Sequence, residues 1–210
     1  MYNRQQSFRN LGKESCFLWG ARQTGKSTLL KHLYPESLYF DLLLSDEYER
    51  LLRRPSLLRE IIEGSDISSP VVIDEIQRIP TLLNEVHWLI ENRGIQFILS
   101  GSSPRKILRS GGNLLGGRAL RYELHPLVSA EIPDFDLIKA LNNGLLPRHY
   151  LSNNSVKLLS AYIGSYLRDE IMTEARIRNI TSFSRFLEAA AFSNGEMVNY
   201  TNIAAECGVS

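Results

Sequence analysis

The chain has 210 residues, a formal net charge of +1, 43% hydrophobic residues and 22% charged residues. This composition predicts a globular protein with one large domain, or one domain and a smaller appendage, and the charge gives no global reason to expect nucleic acid or anionic membrane as a partner. Two cysteines, no apolar run of the roughly eighteen residues that span a bilayer, and no secretory signal predict a cytoplasmic protein.

Short apolar runs alternate with amphipathic stretches through the first half of the chain. The strand candidates are residues 15–19, 38–43, 71–75, 95–100 and 119–124. Helical spacing fills the segments between them, and this alternation predicts an α/β fold with a parallel sheet covered by helices on both faces. After Pro126 only helices are predicted, which places a domain boundary near residue 130.

The first connection, "GARQTGKST", fits the spacing G-x-x-x-x-G-K-[ST] of a phosphate-binding loop. Gly20 and Gly25 permit backbone angles closed to residues with a Cβ, so that successive N–H groups can surround a phosphate. Lys26 would contact the β- and γ-phosphates, Ser27 would ligate magnesium, and the phosphates would lie at a helix N-terminus. The predicted nucleotide-binding residues are Gly20, Ala21, Arg22, Gln23, Thr24, Gly25, Lys26, Ser27 and Thr28.

A pair of acidic residues ends the third strand candidate, "VVIDE". Asp74 is in the position of a magnesium ligand, direct or through water, and Glu75 can polarise the water that attacks the γ-phosphate. The simpler alternative is that the two acids only end a strand at the solvent side. The phosphate-binding loop about fifty residues upstream favours the catalytic interpretation.

Serines follow the fourth strand candidate in "ILSGSS". The carboxyl ends of strands form the ligand-facing edge of an open α/β sheet, so Ser100, Ser102 or Ser103 could hold the attacking water or contact the γ-phosphate. Ser100 is the predicted catalytic residue among them. The alternative is a serine-rich turn.

Residues 104–122 carry five basic residues and no acidic one. Arg118 follows two glycines and precedes the last strand candidate, and such an arginine could reach a phosphate in a neighbouring subunit and neutralise charge in the transition state. The alternative for Arg118 is a structural ion pair on a solvated basic face.

The C-terminal stretch "YTNIAAECGVS" predicts the start of a helix-turn-helix. Ala204 would lie where two helices cross, Gly208 would form the turn, and Ile203 and Val209 would be the flanking apolar residues. The sequence stops where a second, DNA-reading helix would begin, and the alternative to DNA contact is a winged-helix packing module that touches no DNA.

With these motifs the sequence resembles a prokaryotic AAA-type ATPase, of the group of predicted ATPases in which an AAA domain precedes a C-terminal domain of unknown function. The most family-specific phrases are "GARQTGKSTLL", "VVIDEIQRIP", "FILSGSS", "LLGGRALRYELHPLVSAEI" and the segment from residue 166 onward. The resemblance implies a P-loop NTPase sheet in the order 5-1-4-3-2, a domain over residues 1–130, a helical lid over 131–192, and an incomplete winged helix or helix-turn-helix over 193–210. Relatives usually continue further, so the resemblance also implies a truncated chain.

The same resemblance assigns roles to individual residues. It implies Walker A residues at Gly20, Gly25, Lys26 and Ser27, Walker B residues at Asp74 and Glu75, a sensor at Ser100 or its neighbours, and an arginine finger at Arg118. Residues 144–147, "GLLP", are similar to a glycine–proline element that lies against adenine in related ATPases.

The leading hypothesis is binding of ATP with magnesium and its hydrolysis to ADP as a conformational switch, with a homo-oligomer formed through Arg118 and no membrane partner. The alternative from another class is a nucleotide-gated interaction or DNA-binding module with little or no catalysis. A small-molecule P-loop kinase is disfavoured because no arginine-rich lid precedes a substrate site.

Overall fold

A five-stranded parallel sheet forms the centre of the computed structural model, which describes residues 2–5, 14–109, 115–166 and 180–208. All five strand candidates are confirmed as strands. Their bounds are β1 Cys16–Trp19, β2 Tyr39–Asp41, β3 Val71–Asp74, β4 Phe97–Gly101 and β5 Leu120–Glu123. The sheet order is β2-β3-β4-β1-β5, which is the predicted order read from the opposite edge.

Strands in the middle of the sheet differ from those at its edges in how they are buried. Every residue of β1, β3 and β4 is buried, which explains their nearly continuous apolar sequences. Edge strand β5 instead alternates between half-buried and exposed residues. Parallel neighbours require crossover connections, and helices supply most of them here.

Helices connect the strands and continue beyond them. In the first part of the chain they are α1 Lys26–Leu33, α2 Ser45–Arg53, α3 Leu57–Glu63, α4 Leu82–Arg93, α5 Arg105–Arg109, α6 Leu137–Asn143 and α7 Pro147–Leu151. Among the residues that the structure describes, this part also contains three short 3₁₀ turns, at Ile76–Arg78, Leu115–Gly117 and Ser129–Glu131. Pro55 separates α2 from α3, since proline cannot donate the hydrogen bond that a continuous helix needs.

Apolar side chains cover both faces of the sheet. On one face Phe17, Phe40, Ile73 and Leu99 pack with residues of α2, α3 and α4. A smaller group on the other face includes Cys16, Leu18, Val72 and Ile98, which pack against Leu29 and Leu30 of α1. The result is a three-layer α/β arrangement, as predicted.

The chain divides into two units, residues 1–153 and 154–210. The described helices of the second unit are α8 Ser155–Tyr166, α9 Ile180–Phe192 and α10 Tyr200–Cys207, and α9 packs against α10. Gly208 ends α10 with a φ of 66°, as expected for a turn glycine, whereas Val209 and Ser210 lie outside the described residues. The helix-turn-helix and the predicted boundaries near residues 130 and 192 therefore stay predictions. No helix in the described part of the chain is both long enough and apolar enough to cross a membrane.

Candidate functional site

The carboxyl edge of the sheet brings together most of the predicted site residues. Gly20 follows β1 directly, Asp74 ends β3, and Ser100 lies one residue before the end of β4. Because these three strands are adjacent and parallel, their carboxyl ends meet at one edge, which is where open α/β sheets bind ligands.

The two motif glycines of the loop are needed for different reasons. Gly25 has a φ of 95°, a left-handed conformation that favours glycine, and it directly precedes α1. Gly20 has no such angle, so the expectation of an unusual backbone conformation there is wrong. A Cβ on Gly20 would instead overlap the carbonyl oxygen of Leu124, the residue that follows β5. Close approach of two backbones excludes a side chain at this position.

Lys26 is the first residue of α1 and is buried, with 5% of its surface exposed. Its ammonium donates hydrogen bonds to the carbonyl oxygens of Gly20, at 2.7 Å, and Ala21, at 3.2 Å. The Thr24 hydroxyl also donates to the Ala21 carbonyl, at 2.9 Å. The loop therefore closes around the lysine ammonium and holds a positive charge at its centre.

The remaining loop residues are more accessible. Arg22, Gln23 and Thr28 are exposed, Ser27 is half-buried, and Gln23 adopts a positive φ of 66°. An exposed run that ends at the first turn of a helix leaves backbone N–H groups available to an anion.

Asp74 is almost completely buried, with 1% of its surface exposed, and it accepts three hydrogen bonds. The donors are the Ser100 hydroxyl, the Tyr39 hydroxyl at 2.7 Å and the backbone N–H of Glu75 at 3.1 Å. Ser100 thus contacts the predicted metal ligand, while its predicted contact with water or the γ-phosphate stays a prediction. The carboxylate is held in one orientation from three directions.

Tyr39, the first residue of β2, is a site residue that the sequence analysis missed. Its hydroxyl hydrogen-bonds to both Asp74 and Ser27. Burial and the neighbouring Asp74 carboxylate raise the pKa of Tyr39, so the phenol stays protonated. Its signal in the sequence is weak, because only the pairing of Tyr39 with Val72 in the adjacent strand brings it beside Asp74.

Glu75 turns out of the strand with a φ of 61°, in the left-handed region where a non-glycine residue is uncommon. The side-chain amide of Gln77 donates to its carboxylate and also to the Ser102 hydroxyl, at 3.3 Å. Burial raises the pKa of Glu75, and Lys26 opposes that shift. Burial and the Lys26 charge therefore act on the pKa of Glu75 in opposite directions, and the neighbouring Gln77 is a second residue that the sequence analysis did not identify.

Ser103 and Arg118 lie away from these contacts. Ser103 accepts a hydrogen bond from the backbone N–H of Arg105 and so contacts the start of α5.

Arg118 precedes β5, whose first residue Leu120 is paired with Cys16, the first residue of β1. This is the amino edge of the sheet, opposite the phosphate-binding loop. There Arg118 pairs with Glu91 of α4, and the two side chains are 42% and 47% exposed.

A cleft of about 1210 Å³ opens beside the loop. Thr24, Gly25 and Thr28 line one side, the N-terminal segment 2–5 another, and residues between Leu127 and Leu151 the rest. The buried Glu131 links the N-terminal segment to the wall that begins at Leu127. Its carboxylate contacts Arg4 at 3.3 Å and accepts from the backbone N–H groups of Gln5 at 2.7 Å and Val128 at 3.2 Å. Glu131 had no recognisable motif in the sequence.

A parallel sheet of this order, with a glycine loop before α1 and paired acids after the third strand, defines a P-loop nucleotide-binding protein. The chain belongs to the AAA domain family, whose model matches residues 12–133. Residues 134–210 match a domain of unknown function, DUF8612. This confirms the resemblance to an AAA-type P-loop ATPase with a C-terminal domain of unknown function, and the family supports nucleotide binding.

Among solved structures the chain is similar to AMPPCP-bound DnaA from Aquifex aeolicus, with a TM-score of 0.40 and 14% sequence identity. The match covers 83% of this chain and 62% of that chain, so this chain spans less than two thirds of that protein's length. No curated protein matches the sequence.

Proposed function

We propose that this protein binds ATP with magnesium and hydrolyses it to ADP and phosphate, using the cycle as a conformational switch. The observation that carries the proposal is the convergence of a lysine-centred glycine loop, a fixed aspartate and a buried glutamate at one edge of the sheet. Each of these groups suits one part of triphosphate hydrolysis.

The loop would bind the phosphates. Backbone N–H groups of residues 20–28 and the N-terminus of α1 attract an anion. The Lys26 ammonium is already at the loop centre, where it would exchange the carbonyls of Gly20 and Ala21 for phosphate oxygens. Phosphate oxygens carry full charge, so this exchange strengthens its hydrogen bonds.

Ser27 and Asp74 would hold magnesium. A hydroxyl and a carboxylate are the hard oxygen ligands that this ion prefers, and Tyr39 links the two side chains. Bound there, magnesium would neutralise charge on the β- and γ-phosphate oxygens. Ser100 contributes by fixing Asp74.

Glu75 would accept the proton of the attacking water. Burial raises its pKa toward the working pH, which improves a carboxylate as a general base. Gln77 orients this carboxylate through its side-chain amide. The cleft walled by residues 2–5 and by Glu131 would take the ribose and base, and Pro147 of the predicted adenine-contacting element lines it.

Arg118 would act on the nucleotide of a second copy of the chain. Its position at the amino edge separates it from the loop of its own chain, so only a neighbouring molecule could use it. Exposed ion pairs stabilise little, and Arg118 can therefore exchange Glu91 for a phosphate.

Calorimetry with ATP and magnesium tests the proposal directly. Lys26→Ala removes charge-assisted contacts worth about 1.5–3 kcal/mol each, so two such contacts predict a loss of ATP affinity of about 100-fold or more. Lys157→Ala, on α8, removes an exposed lysine and should bind as the wild type does. Equal affinity of Lys26→Ala and wild type, with both proteins folded by thermal unfolding, would contradict the proposal.

A nucleotide-gated interaction module with little catalysis is the second candidate. The observation that favours it is that Arg118 is paired with Glu91 on the opposite edge from the loop. Phosphate release measured against protein concentration separates the two functions. Specific activity that rises with concentration supports hydrolysis completed by a neighbour, whereas nucleotide binding without release at any concentration supports the module. Contact with DNA through residues 193–210 stays a prediction.

A further inference from the structure

One tyrosine hydroxyl joins the two groups assigned to magnesium. The Tyr39 hydroxyl donates to Asp74 Oδ2 at 2.7 Å and hydrogen-bonds to the Ser27 side chain. Ser27 belongs to the first turn of α1 and Asp74 ends β3, so these residues come from different elements of the fold. Tyr39 therefore sets the position of one with respect to the other.

The ring of Tyr39 is held from the side of α1. The Lys31 ammonium lies 4.9 Å from the ring centroid and 3.9 Å from Asp41 Oδ2, at the other end of β2. Lys31 follows Ser27 by one helical turn, so the same helix presents both side chains toward β2.

We propose that Tyr39 is a positioning residue for magnesium, holding the Ser27 hydroxyl and the Asp74 carboxylate in the arrangement that receives the ion. This inference rests on the proposed magnesium-dependent binding of ATP. Groups that orient metal ligands through hydrogen bonds change metal affinity by about 10–100-fold when they are removed. Tyr39 hydrogen-bonds to both of the proposed magnesium ligands, Ser27 and Asp74.

A purely structural role makes a different prediction. If the phenol only satisfied the buried Asp74 carboxylate, its loss would lower the stability of the fold and leave the magnesium requirement unchanged. The concentration of magnesium that ATP binding requires therefore separates the two roles, and it is measured without turnover.

The experiment compares wild type, Tyr39→Phe and Tyr48→Phe by titration with a fluorescent ATP analogue, first in excess EDTA and then over a range of magnesium concentrations. Tyr39→Phe keeps the ring and removes the hydroxyl. We expect unchanged analogue affinity in EDTA and a rise of about 10-fold or more in the magnesium concentration at half effect. Tyr48, on α2, is the control, because its ring packs against the Arg78 guanidinium, and its variant should match wild type.

Three results would overturn or redirect the inference. An unchanged magnesium requirement in folded Tyr39→Phe overturns it. Ser27→Ala should remove the difference that Tyr39→Phe makes, and additive effects of the two substitutions would also overturn it. Wild type that fails to bind the analogue under any condition contradicts the proposed function itself.

Should Tyr39→Phe fail to fold in a thermal scan, Tyr39→His replaces it. The shorter imidazole cannot reach both partners, so the same rise in the required magnesium concentration is expected.

Discussion

The two edges of the sheet hold their charged residues in opposite ways. At the carboxyl edge Lys26 and Asp74 are buried. Lys26 donates to carbonyl oxygens of its own loop, and Asp74 accepts from Tyr39 of β2 and Ser100 of β4. At the amino edge Arg118 and Glu91 form one ion pair with both side chains largely exposed. The first edge is preorganised for a ligand, whereas the second offers a charge that a new partner can take over.

Burial explains why the difference matters for chemistry. A buried polar group that loses its partner costs the protein its desolvation energy, so the groups at the carboxyl edge keep their geometry. An exposed arginine loses little when its partner changes. Under the proposed function, the chemistry within one chain would belong to the carboxyl edge, and contact with the nucleotide of a second chain would belong to the amino edge.

Replacing Arg118 tests this division with the largest expected effect. If Arg118 neutralises charge on the nucleotide of a neighbour, Arg118→Ala lowers kcat by about 1,000-fold or more and leaves ATP affinity near that of wild type. Steady-state phosphate release at high protein concentration measures the change.

The matched control is Glu91→Gln, which breaks the same ion pair and keeps the arginine. It should retain wild-type turnover. If Glu91→Gln and Arg118→Ala have equal effects, Arg118 is a surface ion-pair residue and the amino edge plays no part in hydrolysis.

Replacing Glu75 tests the carboxyl edge. Glu75→Gln should lower kcat by about 100- to 10,000-fold, because the attacking water loses its base, while ATP affinity persists. The variant should also unfold at a higher temperature at neutral pH. Burial raises the pKa of Glu75 in the folded protein, so its ionised form costs stability above that pKa, and a neutral glutamine removes this cost.

Glu49→Gln, an exposed position on α2, controls for loss of a negative charge and should change neither property. Turnover in Glu75→Gln equal to that in wild type would remove the base from the mechanism.

Gly101 tests how tightly the carboxyl edge is packed. A Cβ there would overlap Gln77 Oε1 and approach the Trp19 ring to 2.8 Å. Gly101→Ala should therefore reduce the free energy of unfolding by about 1–3 kcal/mol, as overpacking does, and should lower turnover because Gln77 orients Glu75. Urea unfolding and phosphate release measure the two effects. Gly64→Ala is the control, since its Cβ would meet its nearest atom at 3.4 Å; equal stability of both variants would contradict the packing argument.

Much of this carboxyl edge could be predicted because its signals are local in the sequence. The spacing from Gly20 to Ser27 and the apolar run before Asp74 each lie within one strand and its following turn, so they predicted the loop, the acids and the sheet without knowledge of distant contacts. Apolar runs likewise predicted all five strands, since buried parallel strands need them.

The rest depends on contacts between residues far apart in the chain. Tyr39 meets Asp74 across 35 residues, through the register of β2 against β3, and no local pattern encodes that register. Glu131 reaches Gln5 across 126 residues to close the cleft. Gly20 shows the same limit, because its motif was recognised while the actual reason for glycine is the carbonyl of Leu124, which follows β5 and lies far away in the sequence.

The pH dependence of turnover gives the smallest and most specific effect. Glu75 must be ionised to accept a proton, and burial raises its pKa even though Lys26 and Gln77 oppose the shift. As pH falls, activity should therefore disappear at a higher pH than the ordinary glutamate value of about 4.3 would give. A profile of kcat against pH, with thermal unfolding to show that the protein stays folded, measures this acidic limb. The residual activity of Glu75→Gln should not fall in this acidic range, because an amide does not titrate. If it does fall there, another group is titrating, and the raised pKa of Glu75 does not govern turnover.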